Sequence, residues 1–230
     1  VTARYNEPYV KIFEEERELT LMLLVDVSGS EFFGTSTQFK RDCITEIAAT
    51  LSFSALQNND KVGLILFSNQ IELFIPPKKG RSHILRIIRE LLEFKPLNKS
   101  TNISVPLEFI SSILKKKAIV FLLSDFLDDK YEKNLRIASN KHDLTGIRVF
   151  DKSEESIINL GFVSFFDIET GKNRFINTSS IKVRSAFSSY FYEKQSEFLN
   201  IFKMNGAGTI NCCVDESYVK KLLAYFKARA

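Results

Sequence analysis

Residues 18–27 read ELTLMLLVDV, and SGS follows at 28–30. The run is apolar with almost no alternation, which suits a strand covered on both faces in a parallel sheet. It ends in a carboxylate, Asp26, and two hydroxyls, Ser28 and Ser30, stand at alternate positions beyond it. Downstream, residues 38–57 place Phe39, Cys43, Ile47, Leu51 and Ala55 at helical spacing, which predicts a helix with one buried stripe. VGLILF (62–67) reads as a second buried strand. IELFI (71–75) follows it, and PPKKG is expected to end that run.

The same alternation continues. Helices fit 81–93 and 103–115, with Pro106 tolerated in a first turn, and AIVFLLSD (118–125) is a third buried strand. A shorter helix at 130–141 precedes LTGIRVF (144–150), the fourth such strand. Strands alternating with helices imply right-handed crossovers, so the expected class is α/β, a doubly wound and mostly parallel sheet with helices on both faces. The rhythm then changes at GFVSFFDIETGKNRFI (161–176), two alternating strands around a Gly-containing turn, which predicts a hairpin insertion at about 155–178. A long helix over 180–204 carries Phe187, Tyr190, Phe191, Phe198 and Phe202 as one stripe, expected to be core; GTINCCV and a helix at 216–228 complete the chain. One domain over 18–230 accounts for all of it.

Composition narrows the class of function. A chain of 230 residues can bury roughly 70–75% of its unfolded surface. At 44% apolar and 26% charged, with 9 Gly and 5 Pro, it is an ordinary globular sequence. The net charge of +4 is scattered over KKGR (78–81), KKK (115–117) and the final KAR, which reads as solvated helix ends and not a nucleic-acid footprint. Cys43, Cys212 and Cys213 cannot make a disulfide framework, and with His83 and His142 they show no zinc spacing. No run of 18 apolar residues occurs, so no membrane span is expected within this chain. The opening VTARYNEPYVKIF, without Met, reads as a fragment, with any signal or membrane segment lying upstream.

Ligands of open α/β sheets bind beyond the carboxyl ends of the strands. Two strands end there in a carboxylate, at Asp26 and at Asp125, and the loop NKSTNIS (98–104) carries Thr101 to the same edge. Asp26, Ser28, Ser30, Thr101 and Asp125 thus offer only oxygen, which suits a small hard divalent cation such as Mg²⁺. With neutral hydroxyls as direct ligands, the metal keeps excess positive charge and calls for one anionic oxygen from outside.

DVSGS with Thr101 and Asp125 resembles the metal-ion-dependent adhesion site of von Willebrand factor A domains. In those domains such residues hold Mg²⁺ or Mn²⁺, and a partner protein's carboxylate completes the octahedron. The stretches YNEPYVKIFEEERELTLMLLVDVSGS and HDLTGIRVFDKSEESIINLGFVSFFDIETGKNRFI, with the helix-strand-helix tail, resemble the C-terminal half of the bacterial domain-of-unknown-function family fifty-eight. That resemblance implies a MoxR-type AAA+ ATPase as partner. It implies too that residues 1–17 are the end of a truncated upstream region, membrane-associated in the whole protein, while this fragment is cytoplasmic. One departure stands out: Lys99 and Ser100 precede Thr101 where the family commonly has Gly-Gly, so Ser100 and Thr101 both remain open as the loop ligand.

Rival readings are weaker. Serines after a strand often only cap the next helix, and a vestigial scaffold would keep the fold without the metal. A Mg²⁺-dependent phosphoryl hydrolase could use Asp26 as nucleophile, but Ser28 stands where its general acid would be. Neither histidine is expected at the carboxylate edge, which disfavours Ser-His-Asp hydrolysis. No catalytic residue and no organic cofactor are therefore expected.

Overall fold

The computed structural model describes residues 18–29, 39–166 and 173–229. Its main sheet is built from β1 (Thr20–Asp26), β2 (Lys61–Phe67), β3 (Ile71–Lys78), β4 (Ile119–Ser124), β5 (Asp143–Phe150) and β8 (Gly208–Cys213). The strand order is β3-β2-β1-β4-β5-β8. Every neighbouring pair is parallel except β2 and β3. The remaining strands, β6 (Phe162–Phe166) and β7 (Asn173–Asn177), pair only with each other as an antiparallel ladder.

Among the described residues six α-helices accompany these strands, five between strands and the last after β8: α1 (Lys40–Gln57), α2 (Arg81–Glu93), α3 (Ser104–Ile113), α4 (Glu132–Lys141), α5 (Ile181–Met204) and α6 (Tyr218–Arg229). They divide between the two faces. Leu21, Leu23 and Val25 of β1 pack with Ile47 of α1, Ile87 of α2 and Leu222 of α6. Met22 and Leu24 pack with Leu107 of α3, Leu135 of α4 and Phe198 and Phe202 of α5. Alternate side chains of one strand thus feed two separate cores, which is why its sequence shows no polar face.

Three local expectations are corrected. The run 71–75 does not stop at PPKKG but continues through Pro76 and Pro77 to Lys78. It can, because β3 is an edge strand and both prolines fall in a register shift, between the Ile75–Leu64 and Lys78–Val62 pairs, where no ladder bond is lost. Phe39 precedes α1 and is 55% exposed; the buried stripe is Cys43, Ile47, Leu51 and Ala55, with Lys40 at its head. In α5 only Phe191, Phe198 and Phe202 are buried, while Phe187 is partly covered and Tyr190 is 50% exposed. A helix of 24 residues is about 36 Å long, whereas the six-residue β8 it packs on spans about 20 Å, so the first turns of α5 overrun the sheet.

Candidate metal centre at the carboxyl edge of the sheet

β1 lies between β2 and β4, and the chain leaves it toward one side before crossing to the other. This is the topological switch point, where a crevice opens beyond the strand ends. Asp26 closes β1 and Asp125 directly follows Ser124, the last residue of β4. Both carboxylates are buried. The backbone sews the loops together: Val27 N–H donates to the Phe67 carbonyl (2.9 Å), Gly29 N–H to Lys99 (2.8 Å), and Asn102 N–H to Ser68 (3.0 Å). Thr101, between two of these anchors, is therefore held against the loop that follows Asp26.

Each carboxylate is oriented by donors. Asp26 Oδ1 accepts from the Ser28 amide at 2.9 Å, and Oδ2 from the Ser124 hydroxyl at 2.7 Å. Burial pushes the Asp26 carboxyl up to about 7, the negative charge of Asp125 adds to this, and the bonds from Ser28 and Ser124 only partly offset it. Asp125 Oδ1 accepts from the Leu127 amide at 3.3 Å, and its Oδ2 faces the ammonium of Lys40 at 3.1 Å. The Asp125 backbone carbonyl accepts from Arg148 Nε at 3.2 Å. That guanidinium lies over the rings of Phe150 and Phe191, with centroids at 5.1 and 4.6 Å.

The turn after Asp125 is held by force. Phe126 adopts φ of +57°, a left-handed conformation that costs an L-residue roughly 1–2 kcal/mol. Its ring is buried against Phe198 (4.4 Å between centroids) and Phe202 (5.3 Å), and its amide donates to Ser124 Oγ at 3.2 Å. Packing energy from α5 therefore fixes the direction in which β4 delivers Asp125.

Four of the five expected ligands, Asp26, Ser28, Thr101 and Asp125, are placed at this edge; Ser30 lies outside the described residues. Thr101 Oγ1 is buried and has no hydrogen-bond partner. A hydroxyl in that condition loses its hydration without compensation, at a cost of about 1–3 kcal/mol. A hard cation would supply the missing partner, and the all-oxygen donor set fits Mg²⁺ or Mn²⁺. Among the described residues no three His, Cys, Asp or Glu side chains form a metal cage, so any such ion depends on the hydroxyls.

Sequence reasoning missed Lys40, Ser124, Arg148 and Glu154. Lys40 had a legible signal, since 40, 44, 47 and 51 share one helical stripe and the other three positions are apolar. His83 and His142 lie at the amino ends of strands, away from the carboxyl edge, His83 bonding the Val62 carbonyl of β2 at 2.9 Å and His142 capping α4 just before β5.

The sheet order, the helices on both faces and the crevice beyond β1 and β4 define a doubly wound, mostly parallel α/β protein. Within that class, the chain belongs to the family described as protein of unknown function DUF58, which matches residues 1–197. It is 23% identical over 232 residues to uncharacterised proteins of Mycobacterium tuberculosis and Mycobacterium bovis, spanning all of this chain and 73% of theirs. Among solved structures it resembles BatB from Bacteroides thetaiotaomicron, with a TM-score of 0.57, 11% identity, and 92% of this chain and 97% of that one covered. An aerotolerance-related membrane protein from Bacteroides fragilis gives 0.58 at 14% identity, covering 91% and 97%. These likenesses carry the fold alone. Among the described residues no helix is long and apolar enough to cross a membrane.

Proposed function

We propose that this chain is a non-enzymatic, metal-dependent protein-interaction domain. Asp26, Ser28, Ser30, Thr101 and Asp125 would hold Mg²⁺ or Mn²⁺, and a partner protein's carboxylate would supply the last oxygen. The observation that carries this reading is Thr101 Oγ1, buried and without a partner at the edge where Asp26 and Asp125 converge. Asp26 and Asp125 then orient the site, Ser28 is drawn toward Asp26 by its own amide, and the bound ion would supply Lewis acidity for an incoming carboxylate. Membership of the DUF58 family, whose genes usually sit beside those of MoxR-type AAA+ ATPases, makes such an ATPase the proposed partner, with the metal-bound carboxylate as the contact.

Calorimetry with Mn²⁺ tests the reading. Weak binding, in the millimolar to high micromolar range, is expected because the direct ligands are mainly neutral. Thr101→Val should lower the affinity at least tenfold while leaving the melting temperature unchanged or higher, since it removes an unpartnered buried hydroxyl. Absence of heat up to millimolar Mn²⁺, with no anomalous peak between these residues in soaked crystals, refutes it. Phosphoester turnover that disappears in Asp26→Asn would replace it with the phosphoryl hydrolase.

A further inference from the structure

Lys40 is 1% exposed, although it occupies the first helical position of α1. Its ammonium is 3.1 Å from Asp125 Oδ2 and 2.9 Å from Glu154 Oε1. Burying an ammonium costs several kcal/mol unless its partners are well placed, and here two carboxylates from different loops meet it. Glu154 belongs to a short 3-10 turn, Lys152–Glu154, that directly follows β5. That turn is pinned by Asp151, whose Oδ1 accepts from the Ser153 amide (2.8 Å) and hydroxyl (2.6 Å). The clamp on Lys40 is therefore built into the sheet edge.

We propose that Lys40 is the resident cation of this centre, neutralising Asp125 in the metal-free protein and making divalent-ion binding depend on an incoming carboxylate, with Glu154 holding the ammonium in place. The inference rests on the metal-site reading above. Its basis is charge. When ionised, Asp125, its neighbour Asp26 and the partly buried Glu154 carry three negative charges against two on Lys40 and Arg148, which leaves one net negative charge around Asp125 and its contacts. A divalent ion turns that into one net positive charge. A single carboxylate from a partner brings it to zero, so metal and partner satisfy the site together and neither does so alone. Without Lys40 the cluster carries two negative charges, and a divalent ion alone would balance it.

Mn²⁺ titration of the 230-residue chain, with and without acetate as the simplest carboxylate, distinguishes these states. Wild-type affinity should rise with acetate. Lys40→Met should bind Mn²⁺ about tenfold tighter in its absence and lose the acetate dependence, because a positive charge beside the ion has been removed. Its melting temperature in EDTA should fall and recover with Mn²⁺. Glu154→Gln should weaken Mn²⁺ binding by leaving Asp125 to carry the ammonium. Lys152→Met, an exposed lysine in the same turn, should change affinity less than twofold, which separates the clamp from bulk charge. Should Lys40→Met fail to fold, Lys40→Gln removes the same charge while keeping a polar side chain between the two carboxylates, and should likewise bind more tightly than wild type. Wild-type binding with no gain in either folded Lys40 variant, or an equal gain in Lys152→Met, overturns the role of Lys40 and leaves the metal site standing. Silence from every protein, with and without acetate, removes the metal site and this inference together.

Discussion

At the residue scale, the informative side chains are polar groups placed where burial is expensive. His142 is such a residue outside the candidate metal site. It is buried at the C-terminal cap of α4, and neither ring nitrogen has a hydrogen-bond partner. Burial first, and then the charge of Lys141, hold its pKa below the ordinary value of 6.5. The unfolded chain then binds a proton that the folded one refuses. Stability is therefore intact above about pH 6.5 and falls as the pH drops below it, by about 1.4 kcal/mol per pH unit while only the unfolded state is protonated. His142→Leu should flatten this fall, as read from denaturant midpoints at pH 7 and pH 5. Equal slopes for the two proteins would show that the ring accepts its proton in place.

At the element scale, α5 does two jobs along its length. Its C-terminal half lies so close to β5 that a Cβ on Gly146 would stand 2.5 Å from a Phe202 ring carbon and 2.9 Å from one of Phe198. Gly146 is thus required by close approach of helix to strand. Gly146→Ala should destabilise by about 1–3 kcal/mol through overpacking, and Phe198→Ala by about 3–5 kcal/mol through loss of a buried ring. Because Phe198 and Phe202 also pack on Phe126, both changes should weaken Mn²⁺ binding as well as lowering the denaturation midpoint. Unchanged affinity in a destabilised Phe198→Ala would mean that β4 directs Asp125 without help from α5.

At the scale of the whole molecule, one six-stranded sheet carries both cores and the candidate metal site, while the β6–β7 ladder stands apart from its hydrogen-bond network. Phe162 and Phe175 lie on one face of that ladder and are 80% and 82% exposed. They contribute little to the folded core. Replacing both with Ser should shift unfolding free energy by no more than about 0.5 kcal/mol per site, as expected for surface positions. A large loss on chemical denaturation would instead show that the ladder packs as part of the domain.

Much of this was legible in the sequence because burial on both faces of a parallel strand leaves an unmistakable apolar run. The pattern of ELTLMLLVDV, VGLILF and AIVFLLSD determined the α/β class, and strands ending in Asp26 and Asp125 marked the functional edge. The pairing partners were not legible, since hydrophobic runs do not encode neighbours: that β1 adjoins β4, bringing Asp26 to Asp125, was decided by the crossovers. Nor did helical period reveal that α5 outruns the sheet and leaves Tyr190 exposed, because periodicity gives a face but not the length of what covers it. The ion pairs of Lys40 join residues 85 and 114 positions apart, from α1 to the loops after β4 and β5, and only tertiary structure could select them. A buried lysine is stable only where the folded chain gathers carboxylates around it, so its meaning lay in the fold and not in its neighbours along the chain.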